Sequence, residues 1–326
     1  MADVIMMARR RVQPWQIIAG LAALALVCIV LFMTVGARGS WSFIIPFRGT
    51  KVLQMILVGY AIAVSTVLFQ TVTHNRILTP SIMGFDAMFV LIQTTLVFFV
   101  GGLATAMIDP MLMFLFEMLA MVAFALLLFR WLFTGQQRSL HLLVLVGIII
   151  GTFFRSFSNF MQRIIDPNEF AVLQDSLFAS FNSVNTDLLL VSTIIIAAVS
   201  VVAWRINHTF DVLTLGRDNA INLGIDYRRT VSIILFLVAV LVSVSTALVG
   251  PVTFFGLLVA NLAYVLVGTA KHRYVLPAAI LLAVIALIGG QMVLERLFSF
   301  NTALSIIIEF LGGLVFIILI LRGAAR

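Results

Sequence analysis

Six ionisable residues fall within or at the ends of long apolar stretches: Asp86, Glu117, Arg155, Glu295, Arg296 and Glu309. A charge in hydrocarbon is costly, so each defaults to a functional reading. Carboxylates near a bilayer midplane suit proton or sodium coupling, which makes Asp86, Glu117 and Glu309 the candidates for an ion-coupled secondary transporter. None has a basic residue at i±3 or i±4, so a structural hydrogen bond to a neighbouring helix competes with that role. Arg155 is expected near the outer leaflet, where its stem can snorkel.

Other chemistry is excluded by residue type. A phosphate-cradling P-loop needs lysine followed by Ser or Thr. The two lysines are Lys51, followed by Val52, and Lys271, followed by His272, so no ATP site of that kind is expected in this chain. His74, His141, His208 and His272 are scattered near helix ends and read as loop and interface residues. The single cysteine, Cys28, excludes internal disulfides and cysteine-rich metal sites. The expectation is no enzyme, no metal site and no cofactor in this chain.

The elements that must position these residues follow from composition. Of 326 residues, 63% are hydrophobic and 10% charged, against roughly 25% charged in a typical soluble domain. Mean hydropathy is +1.19. Too few polar side chains exist to cover a soluble surface, so the solvent is a bilayer. A spanning helix needs roughly 20 apolar residues. Runs at about 15–35, 52–72, 82–102, 110–133, 140–160, 187–206, 230–249, 275–294 and 303–321, with a Gly-broken stretch at 252–268, predict about ten spans. Continuous runs without period-2 alternation predict an all-α integral membrane protein, not a barrel. The chain reads as one transmembrane domain over 1–326, with no sequence repeat apparent.

Ten spans with a cytoplasmic N-terminus leave six basic residues outside: Arg38, Arg48, Lys51, Arg155, Arg163 and Arg296. The other fourteen of the 20, Arg9, Arg10, Arg11, Arg138, Arg322 and Arg326 among them, fall inside. This bias predicts both termini in the cytoplasm and accounts for the net charge of +7 without nucleic acid. Two loops are more than connectors. Residues 207–229 interleave apolar and polar positions between Gly216 and Gly224, predicting short amphipathic helices that need a covering partner. Residues 161–187, on the outer side, predict a short helix lining a mouth.

Ordered motifs then carry a resemblance. Arg48-Gly49-Thr50-Lys51 precedes Ile56-Leu57-Val58-Gly59-Tyr60-Ala61-Ile62-Ala63-Val64-Ser65, ending at Gln70. Asn75-Arg76-Ile77-Leu78-Thr79-Pro80-Ser81-Ile82-Met83-Gly84 follows, then Leu215-Gly216-Arg217-Asp218-Asn219-Ala220-Ile221-Asn222-Leu223-Gly224-Ile225, Gly250-Pro251-Val252-Thr253-Phe254-Phe255-Gly256-Leu257 and His272-Arg273-Tyr274-Val275-Leu276-Pro277. In this order they resemble the FecCD family, permeases of ABC importers for ferric siderophores, haem and cobalamin, over roughly 44–322.

That resemblance implies a type II ABC importer permease architecture in a bacterial cytoplasmic membrane. It implies cytoplasmic ABC ATPase subunits, an external siderophore-binding protein and a second permease as partners. Leu213, Leu215, Gly216, Arg217, Ala220, Leu223 and Gly224 become the expected ATPase-coupling residues. Arg48, Lys51 and Arg296 become the expected docking cations for the binding protein. Gln70, Pro80, Gly84, Asp86, Gly250 and Pro251 become candidates for translocation or gating. The family's P-H-x-x-R continuation is absent at Ala260-Asn261-Leu262-Ala263-Tyr264. That departure is similar to a siderophore subgroup in which two different permeases pair, although a homodimer fits too.

Overall fold

The computed structural model describes residues 13–37, 39–133, 140–182, 184–297 and 303–321. Arg9, Arg10, Arg11, Arg38, Arg138, Arg322 and Arg326, which enter the topology argument, lie outside the described residues. Among the described residues the regular structure is helical, without strands. Each apolar run becomes a helix: α1 (Pro14–Thr34), α2 (Trp41–Thr73), α3 (Phe85–Val100), α5 (Pro110–Phe133), α6 (Leu140–Gln162), α8 (Thr186–Arg205), α11 (Tyr227–Val249), α12 (Phe255–Val267), α13 (His272–Leu297) and α14 (Leu304–Leu321). Shorter helices intervene at α4 (Gly102–Ala106), α7 (Pro167–Leu177), α9 (Asn207–Leu213) and α10 (Arg217–Asn222). Among the described residues seven helices are long and apolar enough to cross a membrane, while α3, α12 and α14 supply shorter apolar stretches.

Two boundaries differ from the sequence expectation. α2 starts at Trp41, well before residue 52, because Arg48 and Lys51 find partners that let the helix run on (below). α3 starts at Phe85 because Pro80–Met83 forms a 3-10 turn closed by Gly84 at φ 99°. Proline has no N–H to donate, and glycine takes that left-handed conformation without a Cβ clash. Gly84 also seats this turn against α6. A Cβ on Gly151 would meet the Gly84 Cα at 2.9 Å, and one on Gly147 would meet the Met83 backbone at 3.1 Å. The G-x-x-x-G face thus receives a turn, not another helix.

Burial sorts the helices into a centre and a shell. α2 and α11 are mostly buried, whereas α1 presents Leu24, Leu26, Val27 and Val30 outward and α6 presents Leu145, Ile149, Phe153 and Phe160. Such outward apolar side chains are normal where the solvent is lipid. α2 and α11 pack on each other; α2 then packs on α13, and α11 on α5. α3 packs on α6, and α12 on α14. So α2–α3–α5–α6 and α11–α12–α13–α14 are matching sets with α2 and α11 exchanged: α2 packs on α12 and α13, and α11 on α3 and α5, and each set is broken at an X-Pro step, Thr79-Pro80 or Gly250-Pro251.

Candidate functional site

α2 and α13 run side by side in opposite directions, and the candidate residues gather at both ends of this pair. At one end Arg48, Lys51 and Arg296 line a single cavity of about 400 Å³ with Gly36, Phe47 and Glu295. Arg48 donates through Nη1 to the Phe32 and Val35 carbonyls at 2.5 and 3.0 Å, and through Nη2 to the Gly36 carbonyl at 3.3 Å. These carbonyls close α1 and lack intrahelical partners, so Arg48 caps that helix where its dipole favours a cation. Arg296 donates to the Val35 carbonyl as well. Lys51 is only 6% exposed, with Nζ 4.0 Å from Glu295 Oε1 and 4.8 Å from the Phe47 ring centre. The three cations are therefore together, but Lys51 faces inward, Arg48 is half-buried and Arg296 is exposed.

A wider cavity of about 760 Å³ opens beside it, lined by α7, residues 178–182, Gln291 and the start of α14. The expected short helix is α7, N-capped by Asp166, whose Oδ1 accepts from the Asn168 N–H at 2.9 Å. Glu169 fastens it by accepting from the Gly102 N–H. Gln291 Nε2 joins the two cavities, donating to Asn182 Oδ1 at 2.8 Å and Glu295 Oε1 at 3.2 Å.

Halfway along the bundle the two X-Pro breaks meet. Pro80 and Gly250 line a small cavity with Ser65, Thr66, Ser81, Ser245, Thr246 and Thr253. Gly250, at φ 96°, lies so close to residues 178–179 that a Cβ would sit 3.1 Å from the Ala179 Cα. Thr253 Oγ1 donates to Asp86 Oδ2 at 2.9 Å, and the Thr253 N–H donates to Glu309 Oε1 at 3.3 Å. Glu117 accepts from Gln93 Nε2 at 2.6 Å. Each of the three carboxylates thus holds a hydrogen bond from another element. Gln70 lies apart from this cluster: its Nε2 donates to the Arg76 carbonyl at 2.7 Å.

At the opposite end lie α9 and α10. Gly216 (φ 93°) and Gly224 (φ 85°) make the turns on either side of α10. Leu213 and Ala220 are buried and anchor the segment, while Leu215, Ile221 and Leu223 stand 55, 48 and 61% exposed. Arg217 lies over the Tyr227 ring at 6.0 Å. The expected coupling residues therefore divide into anchors and an outward apolar triad, of which Ile221 is the member not singled out from the motif. The segment is fixed by Asp211, whose Oδ1 accepts from the His272 N–H at 2.9 Å and meets His272 Nδ1 at 2.7 Å. His272 Nε2 lies 2.7 Å from Thr71 Oγ1. Burial works to raise the Asp211 carboxyl, but the hydrogen bonds from His272 outweigh it and hold it below the ordinary carboxylate range. Sequence reading missed this contact because Asp211 and His272 are 61 residues apart; only the presence of His272 in the last motif hinted at it.

A multi-helix membrane bundle with an apolar platform at one end and a lined mouth at the other is a permease-type transport subunit. The chain belongs to the FecCD transport family, whose model matches residues 4–322. It is 50% identical over 305 residues to the petrobactin import system permease protein YclO of Bacillus subtilis (strain 168), covering 94% of this chain and 96% of that protein. It is 38% identical to the petrobactin import system permease protein FatC of Bacillus anthracis, covering 86% and 80%. Its fold matches a metal-chelate type ABC transporter solved in an inward-facing conformation, with TM-score 0.82, 23% identity, and 95% and 100% of the two chains covered.

Proposed function

We propose that this chain is the permease subunit of an ATP-driven importer that carries a ferric siderophore of the petrobactin class across a bacterial cytoplasmic membrane. The observation that carries this reading is the 50% identity to a petrobactin import permease across almost the whole chain. The hydrogen-bonded state of Asp86, Glu117 and Glu309 supports structural roles for them over ion coupling.

The geometry supports a division of labour. An external binding protein docks over the cavity of Arg48 and Arg296, with rim charges setting register and encounter rate. Arg296 carries most of that contact, because Lys51 is buried against Glu295. The chelate enters by the mouth between α7 and α14. An ATPase covers Leu215, Ile221 and Leu223, which seat in a groove as helix-borne apolar residues do. ATP-driven closure moves α9 and α10, and the bundle rocks between access states around the X-Pro breaks. A second permease, a paralogue by the missing P-H-x-x-R pattern, completes the pathway. The termini face the cytoplasm.

The test is growth of a deletion strain on ferric petrobactin as sole iron source. Restoration by this chain, with its ATPase present, is the expected result. Growth that is restored without any ATPase subunit contradicts the proposal.

A further inference from the structure

Four elements converge where the apolar platform joins the bundle. Asp211 sits on α9, His272 opens α13, Thr71 lies in the last turn of α2 and Tyr264 belongs to α12. Asp211 Oδ1 takes both the backbone N–H and the ring Nδ1 of His272. Across the ring, Nε2 meets Thr71 Oγ1 at 2.7 Å. Thr71 Oγ1 also donates to the Val67 carbonyl at 2.8 Å, and Tyr264 lies under the Arg76 guanidinium at 4.4 Å. His272 is 3% and Thr71 4% exposed; Asp211 sits at the accessible edge of the chain, and on its far side Thr71 and Tyr264 line a cavity of about 340 Å³.

A carboxylate only accepts, so Nδ1–H must donate to Asp211. This fixes the ring orientation, as a carboxylate partner does for histidine elsewhere. α9 is only 7 residues long and has no side-chain cap of its own. Besides Asp211, α9 is held by its join to α8 through Ile206 and by the buried Thr209, Phe210 and Leu213. The same two helices, α2 and α13, are tied at their other ends by Lys51 and Glu295. A push on α9 is thereby delivered to a helix pair linked at two points about 30–35 Å apart at 1.5 Å rise per residue.

We infer that Asp211, His272 and Thr71 form a mechanical clamp that passes movement of the platform to α2 and α13. The three are positioning residues: they touch neither the ATPase nor the cargo. This inference rests on the proposed permease reading and adds the route by which that reading couples ATP to transport.

The test uses the full complex in proteoliposomes: this chain, its partner permease, the ATPase and the binding protein, with ferric petrobactin as cargo. Asp211→Ala leaves Leu215, Ile221 and Leu223 in place, so the ATPase stays bound and hydrolyses ATP. Cargo moved per ATP falls about tenfold, the size of one lost charge-assisted hydrogen bond. Asp211→Asn keeps an acceptor oxygen and restores most of the ratio. Thr71→Val, which cuts the far link and leaves the Asp211–His272 pair in place, lowers the ratio without releasing α9. Amide exchange over 207–213 in the same complex rises in Asp211→Ala and not in Thr71→Val. An unchanged ratio in Asp211→Ala overturns the clamp. So does parallel loss of ATPase binding and transport that Asp211→Asn does not repair. If the unmutated complex moves no ferric petrobactin, the functional reading fails, and the exchange comparison still decides whether the clamp exists.

Discussion

Lys51 and Glu295 illustrate what a single residue's surroundings add to its type. From sequence, Lys51 was a docking cation; in the fold it is 6% exposed and tied to Glu295. Removing one partner of a buried pair leaves the other charge uncompensated, which costs on the order of 3 kcal/mol, whereas removing both is closer to neutral. Glu295→Gln is therefore expected to lower the thermal midpoint in detergent more than the double variant Lys51→Met/Glu295→Gln. Equal midpoints would show that the pair is not coupled. Docking is then tested at Arg296: Arg296→Glu slows association of the binding protein, with an effect that shrinks as salt rises. Close packing was also illegible in one dimension. Gly147 and Gly151 stand four apart on one face of α6, and only the fold shows that Gly84 is what approaches. Gly151→Leu forces side-chain atoms into that backbone and is expected to destabilise by about 1–3 kcal/mol, read as a lower midpoint.

At the scale of elements, apolar runs located the seven helices long enough to span among the described residues, because 1.5 Å per residue against a fixed bilayer thickness leaves little freedom. The ends were less legible. α2 begins early because Arg48 spends its donors on α1 carbonyls, a tertiary contact that no local pattern encodes. The platform loop was read correctly as helices with glycine breaks, since the interleaved apolar residues and both glycines are local signals. Gly216 holds φ 93° with open space around it, so a side chain there meets backbone strain and not a clash. Gly216→Leu should cost about 1–3 kcal/mol locally and uncouple ATP hydrolysis from transport; intact coupling would remove α10 from the mechanism. Attachment of α9 also carries a pH signature. The Asp211 carboxyl lies below its ordinary range in the fold, so its contribution is complete at neutral pH. It fades as pH falls through about 4, the unperturbed carboxylate value, and below. Opening of 207–213, read as amide exchange corrected for its intrinsic pH dependence, should rise across that interval in the native chain and be flat in Asp211→Asn.

For the whole molecule, the class was legible in composition and motif order, and the family match over residues 4–322 bears it out. The match between α2–α3–α5–α6 and α11–α12–α13–α14, with α2 and α11 exchanged, was not legible, since helices need only apolar surface to match in packing. That arrangement makes α2 and α11 the buried axis and puts both X-Pro breaks at one level, where small hydroxyl residues gather. Ionisable residues at this depth had suggested ion coupling. Their hydrogen bonds, and the import permeases the chain is similar to, point to ATP as the energy source. The most direct measurement is uptake of ferric petrobactin by proteoliposomes holding the permease pair, the ATPase and the binding protein. The account predicts uptake that requires ATP hydrolysis, persists with a protonophore and survives Asp86→Asn with its fold intact. Uptake that runs without ATP and collapses with the protonophore would contradict it.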